Sequence, residues 1–575
     1  MKAFTSILSI ILIFTLNDVS GQQIPFEKDP ERNTTVTYEE LRSYYQDLLK
    51  DEKQTKIMDL GKTDVGKPLQ LIVLSKDGDF DPQSIKAKGK AVLFMNNGIH
   101  PGEPEGIDAS MMFVRDLLKQ NKLSSDVVIC LIPVYNIAGM LNRGTTRANQ
   151  NGPNAYGFRG SSQNYDLNRD FIKADTRNAM LFNEVFSIWD PDVFFDTHTS
   201  NGADYQHIMT LIATHPDKLH PKLSSYMKER FTKPLYREMD KKGYPMVPYV
   251  DSKGETPQSG LVSFLDGPRY STGYAALHHT IGYMPETHMW KPYKDRVEST
   301  YALMEILHEN LKREAKHIVK LRQEIKDGLV HQKQFAIRWE LDTTKVEQIP
   351  FLGFQSGHQT SRVSGQQRLY YDRKKPYSQN IPHYYRYKET LRIDKPKAYI
   401  VPQAYEKVIQ LLKANRVDMQ QLKQDTIIDA EMYYISDYRT SNRPYEGHYP
   451  HTDVELEVVK RKQAYFEGDW VIPTNQQAIR YIIETLEPQA PDSFFNWNFF
   501  DAVLSQKEYF SAYIFEDYAA EMLEKDKDLK KSFEEAKIND EKLRTSGTAQ
   551  LQWLYQRSPF YEKTFKLYPI ARLVN

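Results

Sequence analysis

Between about residues 36 and 330 the chain repeats one pattern, a short and nearly continuous apolar run followed by a longer amphipathic stretch. The runs "LQLIVLS", "KAVLFMNN", "VVICLIPVYN", "DVFFDTHT" and "IGYMPETH" are rich in β-branched and aromatic residues and end at polar, Gly or Pro positions, which marks buried strands. A strand that is apolar at every position needs cover on both faces, and "EPEGIDASMMFVRDLLKQN" and "DTRNAMLFNEVFSIW" have the helical spacing to supply it. The pattern therefore predicts an α/β fold, a mostly parallel mixed sheet with helices on both faces. A long amphipathic segment, "VESTYALMEILHENLKREAKHIVKLRQEIKDG", closes this region.

At 575 residues the chain is too long for one core, and its character changes after residue 330. Segments such as "QFAIRWELD", "HYYRYKETLRI", "KAYIVP" and "EMYYISDY" predict many short strands, giving a β-rich domain over 329–472. Residues 473–575 read as a helical region, in which "DYAAEMLEKDKDLKKSFEEAKINDEKL" is a solvated helix face. Two segments, "AYIVPQAYEKVIQLL" and "DWVIPTNQQAIRYIIETL", share the order strand, proline, helix, but two copies are too few for a repeat architecture. The tyrosines and histidines of "YYDRKKPYSQNIPHYYRY" suit contact of the C-terminal region with glycan or peptide, and equally the packing of a sheet face.

Charge and leader narrow the partners. Basic and acidic residues balance at 76 each, so neither nucleic acid nor an anionic membrane surface is expected as partner. The opening "MKAFTSILSIILIFTLNDVSGQQ" places Lys2 before an apolar stretch from Phe4 to Leu16, with Ser20 and Gly21 after it. That is the layout of a signal peptide over residues 1–21, too short in its apolar part to span a bilayer, and it predicts a secreted or periplasmic protein whose first domain runs from 22 to 328. No membrane span is expected elsewhere. Cys130 is the single cysteine, so no intrachain disulfide can form, and its apolar neighbours make it a buried hydrophobe.

Four pieces of the first region fall at predicted strand ends, where open α/β sheets hold their ligands. In "NNGIHPGEPEG", His100 and Glu103 stand three apart in a turn, an imidazole and a carboxylate of the kind that binds zinc. His198 in "DVFFDTHTSNG" completes three protein ligands and leaves a fourth position open, with Asp196 on the same face as a partner for an imidazole. "QNYDLNRDF" holds Asn168 and Arg169, suited to a carboxylate. Glu286 in "GYMPETHMW" ends an apolar strand, where desolvation raises a carboxyl towards a useful general base. Each piece alone is a common occurrence, an ordinary cap or a surface pair. Glu105, two residues beyond Glu103, breaks the ligand spacing.

Taken in order, these pieces resemble the zinc carboxypeptidases of the carboxypeptidase A family over roughly residues 36 to 325. "GIHPGE" looks like the family's zinc motif, "NYDLNRDF" like its "DLNR" motif, and "PETH" stands where its catalytic glutamate does. "VYNIAG" is similar to the family's "NPDG", with Ile137 and Ala138 departing from it, and "TTRANQNG" resembles its "R-x-N" segment. The resemblance implies one zinc ion held by His100, Glu103 and His198, and a zinc-activated water whose proton passes to Glu286. It implies Arg147 as the oxyanion-binding arginine, and Asn168 and Arg169 as the grip on the free C-terminal carboxylate of a peptide substrate. For the tyrosine that caps the bound end it offers Tyr270, with Tyr274 as rival. The expected function is an exported metallocarboxypeptidase that hydrolyses the C-terminal peptide bond. The alternatives are a zinc-dependent amidase or deacylase of N-acyl amino acids, and an inactive scaffold that binds peptide or glycan.

Overall fold

The computed structural model describes residues 23–574, so the signal segment expected over residues 1–21 lies outside the described residues. By contact the chain forms two compact units. The first holds the described residues through Gly328 with Trp339–Thr390 and Ala414–Arg416; the second holds Leu329–Arg338, Leu391–Lys413 and Val417 onward. Among the described residues no helix is long and apolar enough to cross a membrane.

The first unit is built on a mixed sheet. Its strands are β1 (Thr55–Lys62), β2 (Pro68–Leu74), β3 (Ala91–Asn96), β4 (Val127–Ile132), β5 (Val193–Asp196), β6 (His198–Ser200), β7 (Met209–Ala213) and β8 (Val247–Pro248). The short β9 (Leu261–Val262) lies in another sheet, and β10 (Ile281–His288) returns to the first. The order across the sheet is β1-β2-β4-β3-β5-β10-β7-β8, with β6 also pairing to β10. Pairs β3–β4, β3–β5, β5–β10, β6–β10 and β7–β8 are parallel, whereas β1–β2, β2–β4 and β7–β10 are antiparallel. The expected fold class, a mainly parallel mixed sheet among helices, is what forms.

The apolar runs are continuous because each strand packs two ways. From β3, Leu93 and Met95 join a core with Ile107 and Met111 of the helix Glu105–Lys119 and Leu303 and Leu307 of the helix Tyr293–Leu329. Phe94 between them faces the opposite layer, against Phe182 and Phe186 of the helix Arg177–Trp189, which reach Tyr274 of the helix Ser271–Leu277. Cys130 of β4 is fully buried, and burial pushes its thiol pKa well up, as a structural cysteine requires.

Chain order sets where a ligand can enter. From β3 the chain crosses by Glu105–Lys119 to β4 on one side, then returns past β3 to β5 on the other. The connection from β3 runs to one side of it and the connection from β4 to β5 runs to the other, the topology that in open α/β sheets forms a crevice at the carboxyl ends of the strands, here β3 and β5.

The segment Trp339–Thr390 of the first unit is dominated by a long two-stranded ribbon rather than by many short strands. Val346–Thr360 pairs antiparallel with Gln367–Tyr384 over most of its length, and β9 adds to the ribbon in parallel. Gln206, in the loop after β6, donates its backbone N–H to Leu352 O and its amide to Gly353 O and Tyr377 O, so the ribbon is stitched to the loop that follows His198. In the second unit the two strand–proline–helix segments are neighbours, Ala398–Val401 pairing antiparallel with Trp470–Pro473. A last strand, Ala571–Leu573, follows the expected helices and completes the six-stranded sheet beside Ala398–Val401.

The end of the main sheet opposite the crevice is held by charge. Arg322, buried on the long helix, donates to Asp192 Oδ1 at 2.7 Å, Asp190 Oδ1 at 2.9 Å and the His279 carbonyl at 2.8 Å. Lys326 also pairs with Asp190. Burial opposes ionisation of Asp190, but these cations overrule it and hold its carboxyl well below the usual range. Removing one partner of a buried network strands the others, so Arg322→Ala should lower the stability of this unit by about 3–5 kcal/mol. Denaturant unfolding checks this; a loss under about 1 kcal/mol would mean the clamp is dispensable.

Candidate metal centre and active site

The turn after β3 is built by two glycines. Gly98 has φ +62°, a left-handed conformation that releases the chain from the sheet, with Ile107 and Val134 crowding its missing side chain. The turn closes with Glu103 N–H donating to His100 O at 2.8 Å, which brings the two side chains to one side. A Cβ on Gly106 would lie 1.9 Å from Thr197 Oγ1, so the first turn of the helix Glu105–Lys119 rests directly against the residue before His198. That close approach fixes how far the turn and the β5–β6 strand end stand apart.

His100, Glu103 and His198 come together. One ligand atom from each lies within 4.8 Å of the others. Both imidazoles aim Nδ1 at Glu103 Oε2, each at 3.3 Å. Their far nitrogens are held from behind: His100 Nε2 lies 2.8 Å from Asp166 Oδ1, and His198 Nε2 lies 2.9 Å from Asp196 Oδ2. Asp166 Oδ1 also accepts from Asn168 N–H, and Asp196 Oδ1 from the Asn96 amide. Carboxylates behind the imidazoles fix Nε2–H and leave Nδ1 as the lone-pair donor, which is how protein zinc ligands are oriented. His100 Nδ1 is buried and makes no hydrogen bond. Two imidazole nitrogens and a carboxylate converging on one point fit a zinc ion in a three-ligand site.

The buried charges of the cluster shift one another strongly. Burial alone would raise the Glu103 carboxyl, but the charges of His100 and Arg147 and the close approach of both imidazoles hold it well below the usual carboxylate range. Burial also opposes ionisation of Asp166, which His100, Arg159 and Arg169 nonetheless hold far down. Burial would lower His198, but Asp196 and Glu103 push it well above the ordinary imidazole value.

The other expected residues surround this cluster. Glu286 on β10 stands in register with His198 on β6, and burial pushes its carboxyl up to about 7, aided by the charge of Glu103 and opposed by His198 and two arginines. Arg147 lies 3.2 Å from Glu103 Oε1 and donates to the carbonyls of Gly102 and Thr199. Asn168 Oδ1 accepts from Ser271 N–H at 3.1 Å, which turns its amide NH2 outward as the donor left for a ligand. The Arg169 guanidinium lies over the Tyr270 ring, 4.4 Å from its centre, and Phe264 meets that ring edge-on. Tyr274 is instead fully buried among Phe171, Phe182 and Phe186, its hydroxyl donating to Asn415. Of the two tyrosines only Tyr270 lies against Arg169.

Some residues of the site were not singled out from sequence. Asp166 is the first letter of "DLNR", yet only the fold puts it behind His100. Arg159 gave no signal; it reaches both Glu103 and Asp166, at 3.3 and 2.8 Å. Glu105, set aside on spacing, is no part of the ligand cluster: it pairs with the buried Arg296 and accepts from Thr199 Oγ1, whose backbone N–H donates to Glu103. His288 donates its Nε2–H to the Ala203 carbonyl at 2.9 Å and accepts from Trp290 N–H at Nδ1, so it is no part of the cluster.

Comparison with known proteins follows the geometry. Residues 41–226 match the family model described as zinc carboxypeptidase, which bears out the resemblance read from the motifs. The chain thus carries a metallocarboxypeptidase-like domain, with Glu286 and Tyr270 beyond the matched segment. Among solved structures, a metallo-carboxypeptidase from Burkholderia cenocepacia is 12% identical, covering 49% of this chain and 70% of its own at a TM-score of 0.36. Carboxypeptidase A from Helicoverpa armigera is 14% identical, covering 49% and 74% at 0.37. No curated protein matches the chain.

Asp166→Ala removes the group that orients His100, and zinc affinity should fall about 10–100-fold, read by competition with a chromophoric chelator. His100→Ala should abolish stoichiometric binding. Unchanged affinity in both would mean these side chains are not the cradle.

Proposed function

We propose that the chain is an exported zinc-dependent carboxypeptidase that removes the C-terminal residue of peptides. The observation that carries this reading is the pair of imidazoles whose Nδ1 atoms meet Glu103 while Asp166 and Asp196 hold their far nitrogens. His100, Glu103 and His198 would hold zinc, which when bound supplies a Lewis acid for the scissile carbonyl and lowers the pKa of water. Glu286 takes the proton of the attacking water and returns it to the departing amine, a task suited to a carboxyl raised towards neutrality. Arg147 presents positive charge beside the cluster, where an oxyanion develops.

Arg169 and the outward amide of Asn168 bind the terminal carboxylate, and Tyr270, stacked on Arg169, covers it. A mid-chain peptide bond offers no carboxylate to this pair, so the reaction is confined to the chain end. Leader residues 1–21 support export, and the balanced charge of the chain gives no preference for polyanions. An N-acyl amino acid offers the same carboxylate, so the acyl side of the scissile bond separates a peptidase from an amidase.

Blocked dipeptides with varied end residues should be hydrolysed, their C-terminal amides and N-acyl amino acids should not, and a chelator should stop the reaction until zinc is returned. Glu286→Gln should lower kcat by about 100-fold or more while zinc stays bound. Hydrolysis of N-acyl amino acids in preference to dipeptides would replace the peptidase reading with the amidase.

A further inference from the structure

A second arrangement of reactive groups, which shares no residue with the metal cluster, lies in the first unit. Ser263 Oγ is 2.8 Å from His383 Nε2, and His383 Nδ1 is 3.1 Å from Glu347 Oε1. The three side chains come from three neighbouring strands. Glu347 pairs in register with His383, His383 pairs with Leu261 of β9, and Ser263 follows Leu261 by two residues and so shares its face. An ionised Glu347 can only accept, so it takes the Nδ1 proton, leaves Nε2 as acceptor, and orients Ser263 as the donor. That is the order nucleophile, base, orienting acid.

The row borders empty space. Ser263, Glu347 and His383 all line a cavity of about 1060 Å³, large enough for a small organic ligand. Its walls include Leu219, Met227, Met246, Phe264 and Trp339. Lys228 lines it too, and its charge bears on His383. Burial lowers the His383 pKa although the hydrogen bond it donates to Glu347 opposes this, and a lowered value favours the neutral imidazole, the form a general base needs.

We propose that Ser263, His383 and Glu347 form a nucleophilic triad that hydrolyses small carboxylic esters with an apolar acyl chain. In the first step the Ser263 O–H bond breaks, its proton passes to His383 Nε2, and Oγ bonds to the carbonyl carbon. The ester C–O bond then breaks, and the alcohol leaves with the proton from Nε2. Water repeats the sequence on the acyl-serine, giving its proton to Nε2, and releases the carboxylic acid and free Ser263. Glu347 is a positioning residue, holding the imidazole without touching substrate.

The test uses full-length protein carrying Glu286→Gln, treated with chelator, so that the metal centre is silent and the outcome is independent of the peptidase reading. A fluorophosphonate should label Ser263, located by peptide mass, and p-nitrophenyl butyrate should turn over. Ser263→Ala, with an unchanged circular dichroism spectrum, should lose both. Glu347→Gln should slow labelling about tenfold or more, with Glu347→Asp recovering part of the rate. An unlabelled Ser263, or ester hydrolysis that survives Ser263→Ala, would reduce the row to a hydrogen-bond chain across a sheet.

Discussion

Glu103 is a carboxylate with 2% of its surface exposed, and the chemistry of the first unit depends on making that tolerable. An ionised carboxylate loses several kcal/mol of hydration on burial unless cations and donors replace the water. Here two imidazoles, two guanidiniums and the Thr199 N–H do so. Each of those groups is in turn held: the imidazoles by Asp166 and Asp196, Arg159 by Asp166, Thr199 by Glu105 and Thr287. The centre is a closed network of charge in which no member can be removed without exposing another.

Such a network forms only where separate chain segments end together. Parallel strands with crossover helices deliver their carboxyl ends to one edge, and the reversal of direction at β3 leaves that edge open. The helix Glu105–Lys119 and the helix Tyr293–Leu329 then do two jobs. Their apolar faces cover one side of the sheet, and their buried charges, Glu105 and Arg296, brace the strand end that carries His198. Stability and site geometry are carried by the same elements, so a packing change in either helix reaches the ligands.

The ribbon Val346–Thr360 with Gln367–Tyr384 extends this unit beyond the sheet. It is joined to the loop after β6 by Gln206 and to β9 by parallel pairing. Strand register then decides which of its polar residues meet: His383 falls between Glu347 and Ser263 because each strand presents alternate residues to one face. The cavity beside it is lined by all three of those side chains.

The sequence by itself determined the layered α/β core, because continuous apolar runs leave no other solution than a sheet covered twice. It also marked His100, Glu103, His198 and Glu286 as candidates, since local turn and strand-end positions carry those residues and the motif order singles them out; the first three converge in the structure. Tertiary structure decided the partners. Asp166 behind His100, Arg159 against Glu103, Tyr270 rather than Tyr274 beside Arg169, and the row of Ser263, His383 and Glu347 all depend on contacts between segments far apart in the chain. A pattern of letters records what each segment buries, but not which other segment it meets, and those meetings are fixed only when the sheet orders its strands.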